Sequence, residues 1–315
     1  MSASAVDRRI RTLRPPKPHV DPYRAHGSLL EQERRPDGTL ERALTVFLAG
    51  AECPFTCSFC DLWRWTIDGA TPNGAIPTQL ETVLGDHGGP LPDRIKLYNA
   101  SNFFDRRAVP PTDLPRIASL VEPFAAVTVE SHASTIGKAT LAFARLLRGR
   151  LEVAMGLETI HPVAAKALNK RLDLTRFDDA ARLLSAAAID LRVFVLLGAP
   201  HVPEDESVVW TVRTVAYAAE RGAAVVSIIP VRGGNGELER LRSAGAFTPP
   251  ALRQLEAALD ECVAFDGVVV TADLWDVEKL PACGDCRAQR VERMRQINLS
   301  GESPVPVLCA TCGGR

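Results

Sequence analysis

Hydrophobic and polar positions follow two alternating patterns along the chain, beginning near residue 43. Six short apolar runs, rich in Val, Ile and Leu, are typical of buried strands. They are residues 43–50, 94–100, 125–131, 151–158, 190–198 and 223–231. The segments between them space apolar residues three and four positions apart, which predicts amphipathic helices. These helices are predicted over 112–124, 137–150, 175–188 and 207–222, with Thr112 and Thr175 as two of the N-caps.

This alternation predicts an α/β fold in which helices cover a parallel sheet. Six βα units fit either a partly closed barrel or an open doubly wound sheet, and both place the chemistry at the carboxyl ends of the strands. Residues 1–40 lack clear periodicity and are interpreted as an N-terminal arm. Residues 41–265 form the predicted α/β domain. Residues 266–315 carry one more strand, over 267–275, and a cysteine-rich tail.

Composition and charge narrow the class of protein. The chain has 315 residues, 46% of them hydrophobic and 24% charged, which is an ordinary globular balance. Its net charge of −1 and pI near 6.6 give no global attraction to nucleic acid or membrane. No signal-peptide pattern or membrane-length apolar run is present, so a cytoplasmic location is predicted. In a reducing compartment, the eight cysteines are expected to bind metal rather than form disulfides.

Three cysteines directly follow the first predicted strand, in the spacing Cys53-x3-Cys57-x2-Cys60. Thiolates are the usual ligands of iron–sulfur clusters. A cubane with four irons, held by three cysteines, keeps one iron open, as a catalytic site requires. Zinc would need a fourth ligand, and no histidine lies near in sequence. Three buried core cysteines are a weaker alternative, since cysteine rarely occurs in such triplets there.

The triplet, with the aromatic Phe59 just before the third cysteine, resembles the hallmark of the radical SAM superfamily. The resemblance implies a partial (βα)6 TIM-like barrel with a small cysteine-rich module after it. It implies that Cys53, Cys57 and Cys60 hold a [4Fe-4S] cluster whose open iron binds S-adenosylmethionine (SAM) through its amino and carboxylate groups. Reductive cleavage of SAM would give a 5′-deoxyadenosyl radical that abstracts a substrate hydrogen. A reducing partner such as flavodoxin or ferredoxin is then expected.

The resemblance also assigns cofactor contacts to the strand ends, beginning with the aromatic Phe59 of the triplet. Superfamily members have a short, often Gly-rich motif after the second strand, whose backbone meets the amino group of SAM. Asn99 and Ser101 stand there in this chain, and ordinary turn chemistry is the alternative. The other candidate ligands at strand ends are Glu130, Ser131, Glu158 and Gly198. Glu158 is expected to contact the ribose, and Gly198 to let the adenine approach the backbone.

The segments "NASNFFD", "VESHAS", "GLETIHPVAAKALNK" and "CGDC" resemble the branch that contains the elongator catalytic subunit. They are more similar still to the radical SAM subunit implicated in archaeosine synthesis. A modified tRNA base is therefore the favoured substrate. A peptide or small metabolite is the first alternative. A metal-stabilised binding protein without turnover is the second, although such a scaffold has no need for an open iron.

Two Cys-x2-Cys pairs lie near the C-terminus and predict a four-thiolate metal site. They comprise Cys283, Cys286, Cys309 and Cys312. Zinc is the favoured ion, and a second iron–sulfur cluster is the alternative. The helical spacer between the pairs carries Arg287, Arg290, Arg293 and Arg295. These arginines are expected either to touch RNA phosphate or to form a solvated helix face. Cys262 is interpreted as a core residue, and the oligomeric state stays open.

Overall fold

The computed structural model describes residues 4–312, which contain one sheet of eight strands in chain order. The strands are β1 (Gly27–Arg34), β2 (Leu40–Phe47), β3 (Arg94–Tyr98), β4 (Ala126–Glu130), β5 (Arg150–Glu158), β6 (Asp190–Leu197), β7 (Ala223–Pro230) and β8 (Val269–Ala272). β1 runs antiparallel to β2, and every later strand runs parallel to the one before it. The predicted parallel sheet is confirmed, with the seven predicted strands present as β2–β8.

The sheet curls into a partial barrel. In a flat sheet β2 and β8 would lie six strand spacings apart, or roughly 29 Å. Instead, the rings of Phe47, at the end of β2, and Trp275, just after β8, have centroids only 5.1 Å apart. The predicted partial barrel is therefore confirmed, and the open doubly wound sheet is excluded.

The α-helices found among residues 4–312 are α1 (Ala5–Leu13), α2 (Ala75–Asp86), α3 (Leu114–Leu120), α4 (Lys138–Leu146), α5 (Ala164–Ala167), α6 (Leu174–Ala186), α7 (Ser207–Glu220), α8 (Glu237–Ser243), α9 (Leu252–Cys262) and α10 (Arg287–Ser300). The predicted N-caps are wrong. Asp113 precedes α3, and Asp173 caps α6 by accepting the Arg176 amide at 2.7 Å. Asp173 takes this position because its carboxylate reaches the third amide of the first turn. None of the helices in the described range has the length and apolarity needed to cross a membrane.

The two faces of the sheet differ because strand residues point alternately to opposite sides. Residues such as Ile95, Val127 and Val153 pack in the main hydrophobic core with residues of α3, α4, α6 and α7. This outer face accounts for the apolar runs of the sequence. Cys262 is fully buried in the same core, as predicted.

The alternate strand positions carry buried charged side chains, which form ion pairs with side chains of other strands in the sheet. Arg94 on β3 donates to Glu41 on β2 at 2.5 Å, and Arg192 on β6 donates to Glu152 on β5 at 2.8 Å. Lys96 pairs with Glu31 of β1 at 2.8 Å. Burying an unpaired charge costs free energy, and these ion pairs offset that cost on the inner face of the sheet.

Helix α10 lies across the gap between the two edge strands and contacts both β1 and β8. Its Asn298 side chain accepts the Ala272 amide and donates to the Ala272 carbonyl, each at 2.8 Å. The side-chain amide of Asn298 therefore hydrogen-bonds to the backbone at the edge of β8, as a neighbouring strand would. Gly301 ends the helix at φ +74°, and a Cβ there would lie 2.3 Å from the Arg34 guanidinium. The C-terminal helix thus closes the side of the partial barrel.

The predicted arm contains two regular elements, α1 and β1. The edge strand β1 pairs with the whole of β2, from Gly27 opposite Phe47 to Arg34 opposite Leu40. Its Leu29 and Leu30 are both exposed, so its sequence lacks the alternation of a half-buried strand. The division of the chain at residues 40 and 265 stays a prediction.

Candidate active site and a four-cysteine metal site

The cysteine triplet lies on the loop after β2, at the carboxyl edge of the parallel strands. Cys53, Cys57 and Cys60 are free and half-buried. Burial raises the pKa of Cys57 to about 12 and raises that of Cys60 as well. The metal-free thiols therefore stay protonated at neutral pH, and metal binding must release their protons.

The N-terminal helix α1 holds this loop in place. The buried Asp7 carboxylate accepts the Thr56 hydroxyl at 2.5 Å and the Asn169 side-chain amide at 3.0 Å. It also pairs with Arg171 at 2.5 Å. These hydrogen bonds, above all that from Thr56, lower the pKa of Asp7 below its usual range. Thr56 lies between the first two cysteines, so α1 fixes the backbone that carries the thiols.

The loop also contacts the ends of β3 and β4. The Asn102 side-chain amide donates to Cys53 Sγ at 3.2 Å, and its oxygen accepts the His132 amide at 2.7 Å. The His132 ring stacks on Phe55, with centroids 4.2 Å apart. Burial lowers the pKa of His132 to about 3, so this ring is neutral near pH 7.

The loop after β3 brings together three of the predicted cofactor residues. The Glu130 carboxylate accepts the Asn99 amide at 2.8 Å and the amides of Ala100 and Ser101. Burial raises the pKa of Glu130 to about 7, although these amides oppose the shift. Within residues 4–312, the buried Asn99 Nδ2 and Ser101 Oγ have no hydrogen-bond partner. Unpaired buried polar atoms are costly, so these two are available to a ligand.

Ser131, next to Glu130, makes only local contacts in the described structure. Its hydroxyl lies 2.7 Å from the Thr135 hydroxyl and accepts the Phe104 amide at 3.4 Å. These contacts fix the turn after β4. Its role in cofactor binding stays a prediction.

Glu158, the last residue of β5, forms an ion pair that the sequence did not suggest. Its carboxylate lies 2.5 Å from Lys170 Nζ, and its φ is +68°. A Cβ at residue 156 would meet both charged groups, at 2.1 and 2.4 Å, so only Gly156 leaves room for the pair. Burial lowers the pKa of Lys170, but the Glu158 carboxylate beside it outweighs that effect, and the net shift is upward. The site therefore holds a cation beside the thiols.

Phe59 and Gly198 lie at the second hydrophobic cluster, which includes Leu168, Leu196 and Ala199. The half-buried Phe59 ring packs against this cluster. Gly198 has φ +73°, and a Cβ there would lie 2.7 Å from the Pro250 side chain. The close approach of Pro250 is enough to require a glycine at this position. The contact of Gly198 with adenine stays a prediction.

The tail cysteines form a compact cluster, as predicted. The Cys283 and Cys309 sulfurs are 3.9 Å apart, and those of Cys286 and Cys312 are 3.8 Å apart. All four lie within 4.8 Å of one another. A tetrahedral zinc ion with Zn–S bonds of 2.3 Å sets its sulfurs about 3.8 Å apart. The spacing therefore fits one metal ion.

The donor set at the cysteine triplet fits an iron–sulfur cluster. Its three free thiols are of the type that ligates such clusters. Asn99 Nδ2 and Ser101 Oγ are unpaired and lie on the loop whose Asn102 donates to Cys53 Sγ at 3.2 Å. These two atoms are suited to a small polar ligand.

Two of the spacer arginines are buried beneath the tail cluster. Arg290 donates to Cys286 Sγ at 3.3 Å and pairs with Glu256 of α9. Arg293 pairs with Glu256 at 3.1 Å and with Asp260 at 2.8 Å. Neither an RNA contact nor a solvated face describes these two residues, because their charges are neutralised inside the protein. The cluster is instead attached to α9 through them.

Comparison with known proteins supports the fold at low sequence identity. No protein-family model matches the chain, and no curated protein matches it. Solved structures do match. Elp3 from Methanocaldococcus infernus is 14% identical with a TM-score of 0.53, and covers 71% of this chain. This chain spans only 59% of that Elp3 chain.

Two further structures share the architecture. A radical SAM methyltransferase from Sphaerobacter thermophilus is 16% identical with a TM-score of 0.53, over 78% of this chain and 73% of its own. The Escherichia coli radical SAM enzyme coproporphyrinogen III oxidase (HemN) is 13% identical with a TM-score of 0.50. It covers 84% of this chain, which spans 56% of HemN. At these identities the likeness shows the fold alone.

Proposed function

We propose that this chain is a radical SAM enzyme in which Cys53, Cys57 and Cys60 bind a [4Fe-4S] cluster. One observation carries the proposal: three free thiols lie at the carboxyl edge of the barrel strands, and the β3 loop that contacts Cys53 through Asn102 also carries the unpaired buried atoms Asn99 Nδ2 and Ser101 Oγ. When bound, the cluster and SAM supply a reductive cleavage that yields methionine and a 5′-deoxyadenosyl radical able to abstract a substrate hydrogen.

The chain's own residues bind and orient these groups. Cys53, Cys57 and Cys60 would hold three irons of the cluster, and the fourth iron would be open to the amino acid part of SAM. Asn99 and Ser101 offer a hydrogen-bond donor and a hydroxyl to that part. Lys170 supplies a positive charge suited to a carboxylate, and Glu158 supplies oxygen lone pairs suited to ribose hydroxyls.

We propose that the fold also limits the access of water to the site. The cysteine loop lies at the carboxyl edge of the partial barrel, α10 closes the side of the barrel, and Asp7 attaches α1 to the loop. Excluding water matters because a reactive radical would otherwise be quenched by side reactions.

Metal analysis of anaerobically reconstituted protein tests the cluster. We expect about four irons and four sulfides per chain at the triplet, and their loss when Cys53, Cys57 and Cys60 are changed to alanine. Cys262→Ala is the matched control and should keep them, since its sulfur is buried in the core. An iron content that the triple substitution leaves unchanged would contradict the assignment.

We propose further that the tail binds one zinc ion. The sulfur separations of 3.8 and 3.9 Å support a single tetrahedral ion. Four thiolates complete its coordination, so the site is structural and offers no open position for substrate. A second cubane is the alternative outcome of the metal analysis.

For the substrate, we propose a base of tRNA. The proposal rests on the resemblance of the strand-end motifs and is supported by two exposed aromatic rings at the carboxyl edge. Trp65 is 48% exposed beside His26, and Trp275 is 44% exposed beside Phe47. Exposed aromatic side chains are the platforms on which proteins stack unpaired RNA bases. A reducing partner such as flavodoxin or ferredoxin would deliver the electron.

Mass spectrometry of digested cell RNA, before and after anaerobic reaction with SAM and dithionite, tests this substrate. A changed nucleoside would support tRNA modification. An unchanged nucleoside profile, together with turnover on a peptide or metabolite fraction, would favour the alternative substrate class.

A further inference from the structure

The side chain of Asn102 forms a hydrogen bond with a thiol of the triplet. Asn102 is 3% exposed and lies in the loop after β3. Its Nδ2 lies 3.2 Å from Cys53 Sγ, within hydrogen-bond distance of a sulfur acceptor. Nothing in the sequence motif distinguished this asparagine from its neighbours.

The orientation of the amide follows from its second contact. The His132 backbone N–H lies 2.7 Å from Asn102 Oδ1, and a backbone N–H can only donate. The atom facing His132 must therefore be the amide oxygen. The amide nitrogen, with its two hydrogens, is then the atom that faces Cys53.

The surroundings prevent the side chain from turning away. Phe103, the next residue, is 1% exposed in the core, and its amide donates to the Glu130 carbonyl at 2.8 Å. The Asn102 carbonyl accepts the Asp105 amide at 3.0 Å. His132 is held by its stacking on Phe55. Backbone and side chain are thus both fixed, so the N–H remains directed at the sulfur.

We infer that Asn102 is a positioning residue that raises the reduction potential of the cluster bound through Cys53. The inference rests on the proposed function. Reduction adds one electron, supplied by an external reductant, and changes no covalent bond or proton. The added negative charge is shared by the cysteine sulfurs. An N–H directed at one of them stabilises the reduced form more than the oxidised form, and hydrogen bonds to sulfur are known determinants of cluster potential.

Two substitutions at this position test the inference. Asn102→Asp keeps the oxygen that accepts the His132 amide but replaces the donor with a second oxygen. Asn102→Leu removes the donor without adding charge. Both variants should show a midpoint potential more negative than the wild type, with the larger shift for Asp. The measurement is an anaerobic redox titration without SAM, followed by the electron paramagnetic resonance signal of the reduced cluster.

Asn235→Leu is the matched control. Asn235 is 2% exposed and donates to the Ser58 and Cys60 carbonyls, at 2.9 and 3.3 Å. It therefore supports the same loop through the backbone and not through sulfur. Its loss should leave the potential unchanged, even if less cluster is bound.

Iron content separates the possible failures. A wild type without iron at the triplet would refute the proposed function itself. Unchanged potentials in both Asn102 variants, with iron retained, would refute the role of Asn102 alone, as would an equal shift in Asn235→Leu. Loss of the cluster from both Asn102 variants, but not from the control, would assign Asn102 to assembly and contradict a role in potential.

Discussion

The ion pair between Glu158 and Lys170 shows how a single contact changes the interpretation of a residue. The strand-end position of Glu158 predicted a contact with ribose, but its carboxylate lies 2.5 Å from an ammonium that the sequence did not suggest. Both side chains are largely buried, with exposures of 7% and 12%. Each charge therefore depends on the other for compensation.

Lys170→Met should consequently destabilise the fold, because it leaves the Glu158 carboxylate buried without its partner. We expect the free energy of unfolding of the metal-free protein to fall by about 3 kcal/mol in urea titrations. The double variant Glu158→Gln/Lys170→Met should recover part of that loss. A loss below about 0.5 kcal/mol in the single variant would show that the pair is not formed.

The Glu130 carboxyl gives a prediction for pH. Burial raises its pKa from 4.5 to about 7, so the folded state binds a proton more tightly than the unfolded state. Stability from this group is present below pH 4.5 and is lost as pH rises toward 7. Between pH 4.5 and pH 7, the free energy of unfolding of the wild type should therefore fall by up to about 3 kcal/mol relative to that of Glu130→Gln. Above pH 7 the difference between the two proteins should stay constant. A stability difference that is constant with pH would contradict the buried carboxyl.

At the residue scale, the sequence predicted the groups that local spacing places together. The cysteine triplet lies within one loop, so its spacing alone revealed it. The partners Lys170, Asn102 and Asp7 could not be predicted, because each meets the site only after distant strands come together. Asp7 lies in α1, yet its carboxylate accepts a hydrogen bond from Asn169, in the loop between α5 and α6. Such contacts depend on tertiary structure that no local pattern encodes.

At the level of elements, α10 acts as the side wall of the barrel through Asn298. Asn298→Leu should lower the free energy of unfolding by about 1–3 kcal/mol, because the Ala272 amide and carbonyl lose their partner. Gln296→Leu, at an exposed position of the same helix, is the control and should stay within about 0.5 kcal/mol. Equal effects of the two substitutions would mean that the amide does not pair the edge of β8.

The tail cluster should fold as a metal-dependent element. Cys283→Ser/Cys286→Ser should lose about one zinc ion and lower the melting temperature, since metal binding gathers the two cysteine pairs. Arg290 should then lose its sulfur contact while keeping Glu256. The iron of the triplet should be unaffected. Loss of about four irons with the tail substitutions would instead identify a second cluster there.

Among the elements, parallel strands were predictable because their outer faces are apolar. β1 was not, because its Leu29 and Leu30 are exposed and its Glu31 and Glu33 face paired cations. The position of β1 is set by backbone hydrogen bonds with β2 and by ion pairs between its glutamates and basic side chains of the inner face. Neither signal appears in a pattern of hydrophobic positions.

Across the whole molecule, the sheet separates an apolar outer layer from a charged interior. The run 94–100 predicted a buried apolar strand, and it is buried, but Arg94 and Lys96 face inward. Their acidic partners lie on β1, β2 and β5, so no local pattern indicated that these charges would be neutralised. The curled sheet, the cysteine loop and α10 together make a site that is polar within and enclosed by a stable core.

The most direct test of the central claim is the formation of 5′-deoxyadenosine. Anaerobically reconstituted protein, reduced with dithionite and supplied with SAM, should release 5′-deoxyadenosine and methionine, measured by liquid chromatography and mass spectrometry. The variant with Cys53, Cys57 and Cys60 changed to alanine should form neither product, while Cys262→Ala should form both. Equal product from the triple variant, or none from wild-type protein with a full cluster, would contradict the account.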